Sequence, residues 1–135
     1  MQEFIFHHVG VAVRALQEAI PAYKSLFGYE VTSGPFDDPI QNVSVCFLSR
    51  HEGDPSIELV APLGPHSPID RTLKKGEGTY HICYEVLDIN AAIEHLIGQG
   101  SLLLSGPVPA VAFDMREIAW LMTNEANLLV ELVQA

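Results

Sequence analysis

The sequence predicts an α+β fold made of two tandem βαβββ modules that close into a half-open barrel around a cleft. Three observations carry this. First, the chain repeats itself at an offset of 73 residues: His8–Val13 (HVGVAV) returns as His81–Val86 (HICYEV), Val45–Leu48 (VCFL) as Ile118–Leu121 (IAWL), and Ile57–Val60 (IELV) as Val130–Val133 (VELV). Second, Leu16, Ala19 and Ile20 return as Ile89, Ala92 and Ile93, at the three- and four-residue spacing of one helix face. Third, the other apolar runs are short and bounded by Gly, Pro and Asp turns, as strands are.

Taken in order, residues 5–13 (IFHHVGVAV) read as a buried strand. Residues 15–27 place Leu16, Ile20, Tyr23, Leu26 and Phe27 at helical spacing, and Gly28 stops the helix. Pro21 weakens the first turn of that helix, because it has no N–H to give. Strands follow at 29–33, 43–49 and 56–61. Residues 62–79 form a connector with one short helix over 67–75. The second half repeats the order: a strand at 80–87, a helix at 89–98 closed by Gly100, and strands at 101–105, 115–122 and 127–133. Neither module has surface enough to cover its own sheet, so the two are expected to pair. Residues 1–135 are then one domain, with module one at 5–61, the connector at 62–77 and module two at 78–134.

Composition narrows the function classes. Seven Lys and Arg against a formal charge of −10 exclude the basic footprint of a nucleic-acid binder and argue against an anionic membrane surface. No apolar run approaches the ~20 residues of a spanning helix. MQEFIFHHVG lacks the basic segment and long apolar stretch of a secretory signal, so none is expected. Cys46 and Cys83 sit inside strand-like runs, which points to a reducing cytoplasm rather than a disulfide framework.

Period-two alternation assigns faces. His8, Gly10 and Ala12 share one face, and Val9, Val11 and Val13 share the other and should meet the helix. His81, Cys83 and Glu85 lie opposite Ile82, Tyr84 and Val86. Glu58 alternates against Ile57 and Leu59, and Glu131 against Val130 and Leu132. Each half thus carries one His and one Glu, 50 positions apart, inside apolar runs. Two imidazoles and two carboxylates suit a divalent first-row metal such as Zn, Ni, Co, Mn or Fe, with one or two positions left for water or substrate. His8, Glu58, His81 and Glu131 are the candidate ligands of one such ion. The bland alternative is two satisfied core histidines and two carboxylates on exposed strand faces.

HHVGVAV, IELVAPLG, SPID, YHICYEVLDINAAI and LLVELVQ resemble the vicinal oxygen chelate (glyoxalase/bleomycin resistance) superfamily, and among its members the pattern is nearest to that of methylmalonyl-CoA epimerases. The resemblance covers nearly the whole chain. It implies paired βαβββ modules, a divalent metal facing a cleft, a small-molecule substrate and often a homodimer, and it places His8, Glu58, His81 and Glu131 at the metal. It also makes Glu131 the first candidate base, with Glu58 its counterpart across the metal. A substrate carbonyl polarised by the metal would lose and regain its α-proton there. Where the epimerase pattern carries a His-Pro-Lys segment and paired glycines, this chain has Leu121–Asn127 and the apolar stretch 106–115, from which weak turnover of methylmalonyl-CoA is expected.

The repeat fills in the cleft wall. If Val43, Val45 and Phe47 face inward, so do Arg116, Ile118, Trp120 and Met122. Arg116, Phe47, Trp120 and Met122 are therefore candidate substrate-binding residues, Arg116 by gripping a carboxylate. The plainer role of Arg116 is a strand-end partner for Asp114 or Glu117, and Phe47 and Trp120 are in the first instance core. Glu85 lies ~13 Å along the strand from His81, too far for the same metal. His7, His51, His66 and His95 read as surface or packing residues, and Cys83 as packing. The leading reading is a metal-dependent isomerase or epimerase of a small acyl substrate. Alternatives are a lactoylglutathione lyase (glyoxalase I)-like enzyme and a protein that sequesters an apolar drug or metabolite. A metal-dependent dioxygenase would leave the fourth ligand unexplained.

Overall fold

The computed structural model describes residues 3–124 and 128–135. Along the chain run β1 (Ile5–Ala12), α1 (Leu16–Phe27), β2 (Glu30–Asp38), β3 (Val43–Ser49), β4 (Ser56–Pro62), α2 (Asp70–Leu73), β5 (Gly78–Val86), α3 (Ile89–Gly98), β6 (Leu102–Pro109), β7 (Glu117–Met122) and β8 (Leu129–Gln134). The predicted order, strand–helix–three strands used twice, is the observed one. Position 127, the predicted start of the last strand, lies outside the described residues, as do the last three positions of the 121–127 stretch. Contacts between residues divide the chain into two compact units, His8–Tyr80 and Met1–His7 with His81–Ala135.

In the His8–Tyr80 unit the strand order is β2-β3-β4-β1, antiparallel except for β4 and β1, which run parallel. One face carries Val11, Val13, Cys46, Leu48, Leu59 and Ala61 against Leu16 of α1, with Ile20 and Tyr23 packed beside them. This is the alternation expected of β1, with the valines turned to the helix. α1 runs through Pro21, which is exposed, so the carbonyl left without its intrahelical donor faces water. Gly28 ends the helix in a left-handed conformation, and its N–H donates to Lys24 O.

The other unit repeats the design as β6-β7-β8-β5, with β8 and β5 parallel. Val86, Ile89, Ala92, Ile93, Ala119, Leu121, Val130 and Leu132 form its core, and Phe4 packs on it from the N-terminal segment. α3 is better capped than α1: Asp88 Oδ1 accepts from Ala91 N at 3.1 Å, whereas Ala15 offers no side-chain cap. Gln134 also holds the helix start, with Oε1 accepting from Ile89 N at 2.8 Å and Nε2 donating to Leu87 O at 2.6 Å.

Several boundaries differ from the sequence reading, each for a local reason. β2 and β6 run on to Asp38 and Pro109 instead of ending at 33 and 105. In both, a Ser-Gly-Pro triplet crosses the sheet with a cis Gly–Pro bond, at Gly34 and at Gly106, with φ of 95° and 94°. Pairing shifts register there, between Ser33 and Phe36 and between Ser105 and Val108, and then resumes. A Cβ on Gly106 would lie 2.5 Å from Ile118 O, so only glycine fits. Residues 106–115 are thus not one loop: the first part is strand, and a single 3-10 turn follows at Val111–Phe113. β7 starts at Glu117 rather than 115, because Asp114 and Met115 take positive φ. The connector helix is only Asp70–Leu73, shorter than the predicted 67–75.

Two substitutions measure these features. Leu132→Ala removes a fully buried side chain from the second core and is expected to cost about 2–5 kcal/mol in urea unfolding. Asp88→Ala removes the α3 cap and is expected to cost about 1 kcal/mol. Equal losses from the two would contradict the packing described.

Candidate metal-binding residues

Parallel pairing positions the first His–Glu pair. Gly10 of β1 lies opposite Glu58 of β4, and His8 precedes Gly10 by two residues, so the His8 and Glu58 side chains leave the same face. Both are buried, and His8 Nε2 lies 3.2 Å from Glu58 Oε1. On the other side of Glu58, β3 brings Phe47 into register, and its ring stands edge-on to the His8 imidazole at 5.3 Å.

The second unit builds the same arrangement from the residues 73 positions on. Cys83 lies opposite Glu131, His81 precedes it by two, and His81 Nε2 lies 3.4 Å from Glu131 Oε1 with both side chains buried. Trp120 pairs with Glu131 across β7 and β8 and stands edge-on to His81 at 4.8 Å and 89°. The bland alternative of two carboxylates on exposed faces is removed, since Glu58 and Glu131 are 4% and 3% exposed.

A carboxylate taken out of water costs several kcal/mol unless a cation or a proton compensates it. The donor spacing fits a metal. Two ligand atoms at ~2.1 Å from one ion are roughly 3.0 Å apart at a right angle and 3.4 Å apart at the tetrahedral angle. The observed 3.2 and 3.4 Å separations fall in that interval. Neutral imidazole and carboxylate are also the donors that a borderline divalent ion takes.

The other predicted residues are placed as follows. Phe47 is buried and Trp120 and Met122 are half-buried. Phe47 and Trp120 act first on the histidines, fixing the ring planes by edge contact. The sequence reads these two as core and candidate cleft residues; the signal for the histidine contact is their own 73-residue spacing, matched to that of His8 and His81. Arg116 does not pair with Asp114 or Glu117. Its Nη1 donates to Glu85 Oε2 at 3.2 Å and to Gln134 O at 2.9 Å, and its Nε donates to Phe113 O at 3.2 Å. The guanidinium thus ties the end of β5 to the end of β8. His7 packs edge-on to Phe113 at 5.4 Å, and the ring of His95 lies 6.0 Å from that of Phe4. His51 and His66 are exposed in turns.

Residues 7–120 match the family model of the glyoxalase/bleomycin resistance protein/dioxygenase superfamily. The ethylmalonyl-CoA/methylmalonyl-CoA epimerase of Cereibacter sphaeroides is 37% identical over 131 residues, covering 95% of this chain and 96% of that protein. The mitochondrial methylmalonyl-CoA epimerase of Homo sapiens is 37% identical over 132 residues, covering 96% of this chain and 73% of its own length. Among solved structures, the methylmalonyl-CoA epimerase of Mycobacterium tuberculosis superposes with a TM-score of 0.81 at 28% identity, over 96% of this chain and 86% of that one. A hypothetical protein of Bacillus halodurans superposes with a TM-score of 0.84 at 29% identity, over 98% and 95%. The chain shares their fold.

Both cysteines are buried, and burial pushes the Cys46 thiol above its ordinary pKa despite the opposing charge of Lys24. At neutral pH that thiol is protonated and a poor nucleophile. A thiol reagent is therefore expected to label the folded protein slowly and both cysteines at once on unfolding in urea. Fast labelling of Cys46 in the native state would contradict its placement.

Proposed function

Because the chain belongs to the glyoxalase/bleomycin resistance protein/dioxygenase superfamily, we propose that it is a metal-dependent epimerase acting on a 2-alkylmalonyl-CoA thioester. The observation that carries the reading is the duplicated, buried His–Glu pair in a chain similar over almost its whole length to epimerases of such thioesters. On this reading His8, Glu58, His81 and Glu131 hold one divalent ion, and the 5–61 and 78–134 modules act as one domain around it. All four are buried and supply the donor types such an ion takes. Zn, Ni, Co, Mn and Fe all suit this donor set.

When bound, the ion serves as a Lewis acid toward the thioester carbonyl. The chain's own groups move the proton. The α-carbon of an alkylmalonyl thioester lies between two carbonyl carbons, so its C–H is already acidic. Glu131 takes that proton on a carboxylate oxygen, and the C–H electron pair passes into the planar enolate form of the substrate. Glu58, which starts the cycle protonated, gives its proton to the opposite face, and the inverted product has the same atoms as the substrate. Glu131 is then protonated and Glu58 is not, so the next turnover runs in the reverse sense or follows proton exchange with water. Phe47 and Trp120 keep water from the histidine edges.

The missing His-Pro-Lys segment and paired glycines gave an expectation of weak turnover of methylmalonyl-CoA. The relatives weigh the other way, and the proposal follows them. They favour an epimerase over the lyase, sequestering-protein and dioxygenase alternatives. A homodimer and a cytoplasmic location complete the reading, the first from the family resemblance and the second from cysteine usage. No helix among the described residues is long and apolar enough to cross a membrane.

The metal and the base are tested separately. Protein stripped with chelator and titrated with Co²⁺ is expected to bind one equivalent per chain, and Glu131→Ala or His81→Ala to weaken that binding at least tenfold, about the loss expected from removing a ligand contact. Two equivalents of similar affinity would show that the pairs act apart. In D₂O, the metal-loaded protein is expected to exchange the α-proton of a 2-alkylmalonyl-CoA. Glu131→Gln keeps one oxygen donor but takes up no proton near neutral pH, so exchange should fall ~10²-fold or more while metal is retained at least in part. Full exchange by the metal-bound variant would remove Glu131 as the base and turn attention to Glu58.

A further inference from the structure

The seven Lys and Arg of this acidic chain are not spread evenly: Arg71, Lys74 and Lys75 fall within five positions. Their surroundings set them apart from the others. Lys24 lies 3.8 Å from Glu30, Arg50 lies 3.5 Å from Asp54 and Arg116 lies 3.2 Å from Glu85. The Arg14 guanidinium donates to Leu73 O at 3.4 Å. Among the described residues Arg71, Lys74 and Lys75 enter no ion pair, and all three are exposed. Arg71 and Lys74 are three apart, the spacing that puts two side chains on one side of a helical turn. Together with His66 they line a pocket of about 470 Å³, in which Asp70 is the lone carboxylate. In a chain of formal charge −10, such a cluster is the place where an anionic ligand meets least repulsion.

Resting on the epimerase reading, we infer that Arg71 and Lys74, with His66 beside them and Lys75 adjoining, hold the phosphate groups of the acyl-CoA substrate. The reach is right. Arg14, just past β1, is tied to this connector twice, by Nη2 to Leu73 O at the end of α2 and by its N–H to Glu77 Oε2 at 2.6 Å. Arg14 lies six positions beyond His8, roughly 20 Å at ~3.3 Å per extended residue. From the thioester sulfur to the diphosphate of coenzyme A there are about thirteen bonds, roughly 16 Å when extended. An extended arm of that length spans about four fifths of that distance, which leaves the long Arg71 and Lys74 side chains to meet the diphosphate.

The test compares methylmalonyl-CoA with methylmalonyl-pantetheine, which has the same reacting carbon and no phosphate. The Arg71→Ala/Lys74→Ala double variant is expected to raise KM for the CoA thioester about tenfold, as the loss of charge-assisted contacts does, and to shrink the preference for it over the pantetheine thioester by the same factor. The rise of KM with salt should flatten. Lys24→Ala, which removes one cation already paired with Glu30, should move the preference less than twofold. An unchanged preference in the double variant overturns the inference and leaves the epimerase reading intact. Exchange of neither thioester by the unmutated protein is the failure of that reading instead. Calorimetric titration of the same proteins with coenzyme A itself then decides the phosphate site alone: weaker binding to the double variant supports it, and equal binding or none overturns it.

Discussion

A carboxylate buried against an imidazole is the constraint around which each unit is arranged. Neither group would be taken from water without a partner that compensates its charge or its hydrogen bonds. Holding Glu58 at 3.2 Å from His8 requires β1 and β4 to run parallel in one register, with Gly10 opposite the glutamate. A slip of one residue would send Glu58 to the helix side, among Val11, Leu48 and Leu59, and bring Leu59 to the imidazole. The apolar cluster on the far side of the sheet makes that slip costly, since every buried side chain of β4 would change face at once. The helices therefore help position the His–Glu pairs without touching them.

The two units keep what the pair needs and vary the rest. Kept are the parallel strands, the aromatic ring edge-on to the imidazole and the Gly–Pro crossing of the outer strand. The start of the helix varies, capped by Asp88 in one unit and by no side chain in the other. Cations also vary: one unit spends Arg116 on Glu85 and on main-chain oxygens, and in the other Arg71, Lys74 and Lys75 enter no ion pair among the described residues. Divergence reaches the His–Glu face as well, where Gly10 and Ala12 stand against Cys83 and Glu85, but it spares the His and Glu themselves.

Much of this was legible in the sequence, because both signals are periodic. The 73-residue offset exposes the duplication, and alternation within each strand puts His and Glu on the face away from the helix. What escaped was set by local backbone geometry. Ser-Gly-Pro reads as a turn, and β2 and β6 were therefore ended at 33 and 105; the glycine in fact lets the strand cross a break in register and continue. The signal was present in the second copy of the triplet, since a chance turn has no reason to recur. The partner of Arg116 escaped for another reason. Glu85 is 31 positions away, and only the docking of β5 beside β8 brings them together, while Asp114 turns off in a left-handed conformation.

The duplication also bears on why such a module suits the proposed reaction. An epimerase interconverts two molecules of nearly equal free energy, so neither direction of proton transfer should be favoured by the protein. Inversion at one carbon uses one group that takes the proton and another that returns it to the opposite face. Glu58 and Glu131 are nearly equivalent: 4% and 3% exposed, 3.2 and 3.4 Å from their histidines, and each opposite an aromatic residue on the neighbouring strand. Their neighbours are similar without being identical: Gly10 lies opposite Glu58 and Cys83 opposite Glu131. The repeat thus supplies one buried His–Glu pair per unit, and so the two carboxylates that the proposed proton transfer uses.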